Sequence, residues 1–160
     1  MTTTAFGWSS ELVEQRGLPA EAAPLQCELA PDISALRLVR QRLRGEFGHL
    51  LPAGVLDDLE LVVIELLANA FDASEPTHLT SLSVRLSGSD VLVEVTDQSI
   101  GTPALRRPDE LAEAGRALVL VAALSRDWGW RPSRPGKTVW ALLSNGRAPI
   151  APEAAALPST

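Results

Sequence analysis

Hydrophobic residues recur at helical spacing through the middle of the chain, over residues 56–74. Apolar side chains occupy one face of this stretch, and further apolar residues make its centre hydrophobic on every side. These residues are Leu56, Leu59, Val63, Leu66, Leu67 and Ala70, together with Leu61, Val62 and Ile64. The pattern predicts a central helix that is covered on most of its sides.

Three polar residues interrupt this central helix at positions that share one face. Glu65, Asn69 and Asp72 stand at i, i+4 and i+7, so their side chains project from one narrow stripe. Burying a carboxylate and a carboxamide costs free energy unless a partner, a metal or a ligand satisfies them. Two interpretations stay open here: the stripe lines a binding site, or its side chains hydrogen-bond the neighbouring backbone.

The rest of the chain alternates between the two periodicities. Asp32 is placed to cap a second, amphipathic helix, and alternating apolar and polar residues on both sides of a turn at 88–90 predict a β-hairpin. The full set comprises a strand at 25–29, helices at 33–47 and 56–74, strands at 82–86 and 91–96, a mobile loop at 98–114, a helix at 115–124, and strands at 127–131 and 137–143.

This order of elements predicts the fold class. Paired strands and separate helices are typical of an α+β two-layer sandwich, with helices on one face of a mixed or antiparallel sheet and the other face partly open. We expect one domain over residues 25–145. Residues 1–24 lack periodicity, and residues 146–160 are rich in Ala and Pro, so a flexible N-terminal arm and a flexible C-terminal tail are predicted.

Composition narrows the class of function. With 160 residues, a net charge of −6 and a pI near 4.9, the chain lacks the basic surface that direct binding to nucleic acid or to an anionic membrane needs. Proteins are therefore the expected macromolecular partners. A single cysteine, Cys27, and two histidines allow neither an intramolecular disulfide nor a zinc cluster. No leader or membrane-spanning run is visible, and we expect a cytoplasmic protein.

One basic stripe stands out in this acidic chain. Arg37, Arg40 and Arg44 lie at i, i+3 and i+7 on the outer face of the helix at 33–47. Such a run usually forms a solvated face, which is the interpretation we favour from the pattern. The alternative is a docking patch for an acidic partner.

Several separated segments together resemble one family. They read E-L-L-A-N-A-F-D-A-S at 65–74, V-E-V-T-D-Q-S-I-G-T-P at 93–103, G-R-A-L-V-L-V at 115–121 and G-K-T-V-W-A-L-L at 136–143. In this order the segments resemble the Bergerat-fold ATPases, which include histidine kinases, Hsp90, gyrase and MutL. The similarity is greatest to the small anti-sigma-factor serine kinases. The fold implied is the histidine kinase-like ATPase domain.

The resemblance implies that the polar stripe handles phosphate. Asn69 would bind a Mg²⁺ ion that bridges the phosphates of ATP, because a carboxamide oxygen is a hard ligand of the kind that Mg²⁺ prefers. Glu65, one turn earlier, would orient or deprotonate the attacking hydroxyl. Asp72 completes the implied nucleotide-binding stripe, at a position where anti-sigma-factor kinases often carry histidine.

It also implies residues that bind the base. Asp97 matches the aspartate that accepts a hydrogen bond from the adenine amino group, and Thr138 matches a threonine that assists at the same edge. Gly101 would let the backbone pass close to the base.

Further implied contacts would reach the phosphates. Gly115 would open a helix whose N-terminal amides face phosphate, and Arg106, Arg107 and Arg116 would add positive charge nearby.

Two positions depart from the family pattern. Ser99 replaces the first glycine of the box that usually reads D-x-G-x-G, and Ala117 replaces the later glycine of the G-x-G-L box. If either position needs a positive φ, a side chain there costs of order 1–3 kcal/mol, which would weaken ATP binding tenfold or more.

The resemblance therefore implies an ATP-binding regulator. Its expected activity is that of a protein serine kinase of the anti-sigma-factor type, which binds a sigma factor and phosphorylates a serine of an antagonist protein, with homodimerisation as a family expectation. The alternative is a module that binds nucleotide or docks partners without kinase activity. A histidine kinase fragment is a weaker idea, since the chain lacks a helix carrying a phosphoacceptor histidine.

Overall fold

The computed structural model describes residues 24–99, 111–134 and 136–146, and these form one sheet with three helices. The elements in chain order are strand β1 (Leu25–Leu29), helices α1 (Ile33–Phe47) and α2 (Ala53–Ala73), strands β2 (Thr80–Ser87) and β3 (Asp90–Asp97), helix α3 (Leu111–Leu124), and strands β4 (Asp127–Pro132) and β5 (Lys137–Ser144). The predicted types and order of the elements are confirmed.

Two helix boundaries differ from the prediction. Helix α2 begins at Ala53 rather than at residue 56, directly after Pro52. The chain is helical from Leu111 onward, although residues 98–114 are predicted as a loop. The reason is local: two prolines dominate the first part of that segment, whereas Leu-Ala-Glu-Ala at 111–114 consists of strong helix formers.

Local signals at two other element ends are confirmed. Asp32 caps α1, since its Oδ1 accepts a hydrogen bond from the amide of Ser34 at 3.0 Å. The turn between β2 and β3 contains Gly88 with φ of +56°, a conformation that glycine adopts without steric cost.

The five strands form one antiparallel sheet with the order β1-β2-β3-β5-β4. Strand β5 lies between β3 and β4, so the C-terminal strand runs beside the strand that ends at Asp97. The register pairs Asp97 with Lys137 and Thr96 with Thr138. This register decides which side chains share the end of β3.

The main core lies between the helices and one face of the sheet. Alternate residues of the strands, such as Val93 and Val139, pack there against α1 and α2. A small separate cluster of Leu92, Trp140 and Leu142 lies on the other face. The arrangement confirms an α+β fold with two layers, and it resolves the open choice of sheet type in favour of an antiparallel sheet.

Ion pairs join α1 to α2 at the surface. The Arg44 guanidinium lies 3.1 Å from Oδ1 of Asp57 and 2.7 Å from Oε2 of Glu60, and Arg40 lies 3.5 Å from Oε1 of Glu60. The hydrogen bond to Asp57, with the nearby charge of Glu60, raises the pKa of Arg44. Two members of the basic stripe therefore contact a neighbouring helix, an intramolecular role that neither interpretation of the pattern included.

The structure bears on two further expectations. In the part of the chain that is described, no helix has both the length and the hydropathy to cross a membrane. The predicted arm and tail fall almost entirely outside the described residues, as do residues 100–110 of the loop predicted at 98–114.

Candidate functional site

A buried carboxylate ends the central strand β3. Asp97 follows Val91, Val93 and Val95 in the alternation of that strand, so its side chain faces the helix layer, and the residue is 2% exposed. One carboxylate oxygen, Oδ1, accepts hydrogen bonds from both the amide and the hydroxyl of Ser99, the amide at 2.9 Å. The carboxylate is thus fixed in place by the residue that replaces a family glycine.

A lysine lies beside this carboxylate. Lys137 is the partner of Asp97 in the β3–β5 register, and its Nζ lies 3.5 Å from Oδ2 of Asp97. The same Nζ donates to Oγ of Ser99 at 2.5 Å. The Lys137 side chain is only 9% exposed, so the positive charge is buried together with the negative one. We call Asp97, Ser99 and Lys137 the strand-end triad.

The backbone before the lysine packs tightly against the same strand end. A Cβ built on Gly136 would lie 2.6 Å from Cα of Gln98 and closer still to the carbonyl oxygen of Asp97. Real Cβ atoms do not approach backbone atoms that closely. Glycine at 136 is therefore what lets β5 reach the end of β3 and bring Lys137 to Asp97.

The polar stripe of α2 lies on the same side of the sheet, because α2 packs against β3 and β5. Its side chains are less buried than the apolar pattern predicts: Glu65 and Asn69 are half-buried, and Asp72 is exposed. Leu61, on the neighbouring part of the helix surface, is also exposed, which shows that this edge of α2 faces solvent.

The stripe side chains find no internal partner among the described residues. Within that part of the chain, neither Glu65 nor Asn69 makes a side-chain hydrogen bond or ion pair. The hydrogen bonds of Glu65 and Asn69 with nearby backbone, which one of the two interpretations predicts, are therefore not observed in that part of the chain. The described residues contain no group of three His, Cys, Asp or Glu placed to hold a metal, so a divalent ion bound by Asn69 would need further ligands from a bound phosphate.

The structure does not bring Thr138 to the carboxylate. Strand alternation turns its side chain to the helix-free face, where its Oγ1 lies 2.7 Å from Oγ1 of Thr96. Thr96 also lines a groove of about 590 Å³ on that face, together with Ser83, Arg85 and Glu94. Base binding by Thr138 remains a prediction, and the direction of its side chain argues against it.

The remaining predicted site residues divide into two groups. Gly101 and Arg106, with Arg107, lie outside the described residues. Gly115 and Arg116 lie within α3, of which the structure describes the backbone from Leu111. Gly115 does not open this helix: four helical residues precede it, so its amide donates within the helix and is not one of the free N-terminal amides. The backbone role that the resemblance implies for Gly115 therefore needs correction.

Two functional candidates, Lys137 and Gly136, were missed from the sequence. The signal for Lys137 is the alternation of β5, since residues 137, 139, 141 and 143 share a face and the last three are apolar core residues. That alternation assigns the lysine to the core side. It does not by itself reveal that the core side of residue 137 lies opposite Asp97.

Comparisons with known proteins agree with this architecture. The sequence model of the family described as the histidine kinase-like ATPase domain matches residues 29–143. A search of curated proteins gave no match. Among solved structures, the chain is similar to the RsbU and RsbW domains of Rv1364c from Mycobacterium tuberculosis, with 19% identity, a TM-score of 0.61, and coverage of 79% of this chain.

That match spans only 34% of the larger structure, about a third of its length. A mycobacterial sensor histidine kinase, MprB, matches with 15% identity and a TM-score of 0.46, covering 76% of this chain and 97% of the other. The family match covers most of the chain and contains both the polar stripe of α2 and the strand-end triad. The chain belongs to the histidine kinase-like ATPase domain family.

Proposed function

We propose that this domain binds Mg²⁺-ATP between α2 and the end of β3 and acts as a regulatory protein serine kinase of the anti-sigma-factor type. The observation that carries the proposal is the buried Asp97 carboxylate, held by Ser99 at the helix-facing end of the central strand. Membership of an ATPase domain family supports nucleotide binding at this place. Kinase activity is more specific than nucleotide binding, and this part of the proposal is supported by the motif resemblance.

The accepting capacity of Asp97 fits a purine amino group. A carboxylate offers about four acceptor positions on its two oxygens. The amide and hydroxyl of Ser99 occupy Oδ1, whereas the Lys137 ammonium stands 3.5 Å from Oδ2, beyond the usual length of a direct hydrogen bond. Oδ2 therefore retains room to accept a hydrogen bond from the exocyclic amine of adenine.

The half-buried stripe of α2 suits the phosphate end of the nucleotide. Asn69 would supply a carboxamide oxygen to Mg²⁺, with phosphate oxygens and waters as the other ligands. Glu65, one turn away and partly exposed, would accept the proton of an incoming serine hydroxyl or orient that hydroxyl. Partial exposure is needed for this role, because the serine belongs to another protein. Asp72 lies at the exposed end of the stripe.

The proposed partners are proteins, in keeping with the net charge of −6. We propose a sigma factor and an antagonist protein as the two classes of partner, with a homodimer as the working assembly. One solved structure similar to this chain places an RsbW domain in one protein with an RsbU domain. That arrangement describes the relative, and it makes a protein-regulatory role here worth testing first.

A second candidate is a docking module without kinase activity. The specific observation in its favour is the strand-end triad, in which Ser99 and Lys137 satisfy much of the Asp97 carboxylate without any ligand. A site that is already satisfied internally gains less from binding ATP.

Calorimetric titration with Mg²⁺-ATP tests the base contact. Asp97→Asn places an amide beside the adenine amine, and loss of one charge-assisted hydrogen bond of about 1.5–3 kcal/mol raises Kd roughly tenfold to a hundredfold. Asp90→Asn, at the opposite end of the same strand, is the matched control and should leave Kd unchanged. An identical Kd for the wild type and Asp97→Asn would refute this placement of the base.

Phosphoryl transfer separates the two candidate functions. The protein is incubated with Mg²⁺, labelled ATP and a candidate antagonist protein. Glu65→Gln should abolish transfer to the antagonist while leaving ATP affinity within about twofold, because the side chain acts on the hydroxyl and not on the nucleotide. Asp58→Asn, on the same helix, is the control. ATP binding without transfer by the wild type would favour the docking module.

A further inference from the structure

The strand-end triad leaves a hydrogen-bond donor and an acceptor side by side. An ammonium group has three N–H donors, of which one reaches Ser99 and one points toward Asp97, so a third is available. Oδ2 of Asp97, 3.5 Å away, retains acceptor capacity. A ligand that approaches Asp97 from the helix side therefore meets both groups, and not the lone carboxylate that the sequence motif implies.

Lysine is also unusual in this chain. The sequence contains fourteen Lys and Arg residues in total, and residue 137 is its only lysine. An ammonium is a compact point charge with freely directed donors, whereas guanidinium is a planar fork. The one lysine stands buried against the carboxylate, where a compact donor fits and where burying a charge costs free energy unless that charge is paired.

We propose that Lys137 reads the purine edge together with Asp97, and that this pair admits guanine as well as adenine, so that the domain binds both GTP and ATP. The inference rests on the nucleotide binding proposed above. A lone carboxylate selects adenine, because the amine at position 6 donates to it, whereas the oxygen at position 6 of guanine is an acceptor and is repelled. The Lys137 ammonium supplies the donor that this oxygen needs.

The pair satisfies either base without rearranging the strands. With adenine, the amine at position 6 donates to Asp97 and the ring nitrogen N7 accepts from Lys137. With guanine, the oxygen at position 6 accepts from Lys137, and the N1–H donates to Asp97. The base shifts in its plane while the protein groups stay fixed by the β3–β5 register. Because each base finds a partner for the groups that it presents to Asp97 and Lys137, neither base suffers the usual penalty for an unpaired buried polar group.

A nucleotide panel tests the inference. Calorimetric Kd values are measured for Mg²⁺-ATP, Mg²⁺-GTP and Mg²⁺-ITP, whose base keeps the O6 and N1–H of guanine but lacks its amine at position 2. We expect GTP and ITP each to bind within tenfold of ATP. Binding of ATP with GTP weaker by more than tenfold would overturn the role of Lys137 and leave the proposed function standing. Binding of none of the three would overturn the proposed function as well.

Substitution of the lysine gives an independent readout. Lys137→Met keeps a long side chain without the donor, and it should raise the Kd of GTP at least tenfold more than that of ATP. Arg131→Met is the matched control: this cation on the adjoining strand pairs with Glu94 on the helix-free face, and its loss should leave the GTP to ATP ratio unchanged. Equal changes in both Kd values for Lys137→Met would contradict the proposal.

The wild-type protein offers a measurement that does not depend on a variant folding. Selective ¹⁵N labelling of lysine yields a single side-chain signal, since the chain has one lysine. Saturating Mg²⁺-GTP and Mg²⁺-ATP should each move that signal, to different positions. A signal unmoved by a nucleotide that calorimetry shows to be bound would exclude contact between Lys137 and the base.

Discussion

Replacing Gly136 by alanine tests whether close approach of the β4–β5 turn builds the site. The added methyl would stand 2.6 Å from Cα of Gln98, against an optimal carbon–carbon separation of about 3.5 Å, so the two backbones must part by roughly 1 Å. The neighbouring atoms are backbone and cannot rotate away. Overpacking of this kind costs about 1–3 kcal/mol.

The expected effect on the protein is therefore large enough to measure in two ways. For a chain of this size a loss of ~2 kcal/mol lowers the melting temperature by roughly 4–8 °C. Parting the strands also moves Lys137 away from Asp97, because these residues form the terminal pair of the β3–β5 ladder. We expect a lower melting temperature by calorimetry together with weaker binding of Mg²⁺-ATP.

Gly45→Ala is the matched control. A Cβ at Gly45, on the surface of α1, would have nothing within 4 Å beyond the helix itself. Because glycine costs about 0.5–1 kcal/mol relative to alanine within a helix, this substitution should stabilise the protein. The same chemical change is thus expected to act with opposite sign at the two positions. Equal melting temperatures for Gly136→Ala and the wild type, with unchanged ATP affinity, would refute the steric reasoning.

Two further predictions concern the helix surface and the free thiol. Arg44→Ala removes half-exposed ion pairs between α1 and α2, so it should lower the urea midpoint only slightly, and that loss should shrink in 1 M salt; a large or salt-independent loss would contradict this reasoning. Burial raises the pKa of Cys27 above its ordinary value of 9.0, an effect that Arg42 opposes and Glu46 assists. The contribution of the buried neutral Cys27 thiol to stability is therefore complete below pH 9.0 and is lost as pH rises further. Iodoacetamide at pH 8 should alkylate the folded protein more slowly than the urea-unfolded one, and equal rates would contradict this.

The candidate site divides between what a local pattern reveals and what it does not. Asp97 could be found from sequence, because an acidic residue directly after the alternating run 91–96 must lie at a strand end. The shared face of Glu65 and Asn69 follows from helical spacing in the same way. The half-exposure of Glu65 and Asn69 does not follow from helical spacing, because it depends on which sides of α2 the neighbouring elements leave open.

The neighbours of Asp97 required the pairing of distant segments. Sequence similarity pointed to Thr138 as the residue assisting at the base, yet Lys137 is the one that faces Asp97. Side chains alternate between the two faces of a strand, so a difference of one residue moves a side chain to the other side of the sheet. The residue pattern of β5 alone does not determine the register of β5 against β3.

The sequence by itself determined the elements of this protein, their order and the chemistry available at the end of β3, because periodicity, capping and turn residues act over a few neighbouring positions. The tertiary structure alone decided that β5 lies beside β3, that Gly136 allows the close contact and that the single lysine is buried against Asp97. Strand order and register are settled by burial across the whole sheet, and the composition of this site depends on both.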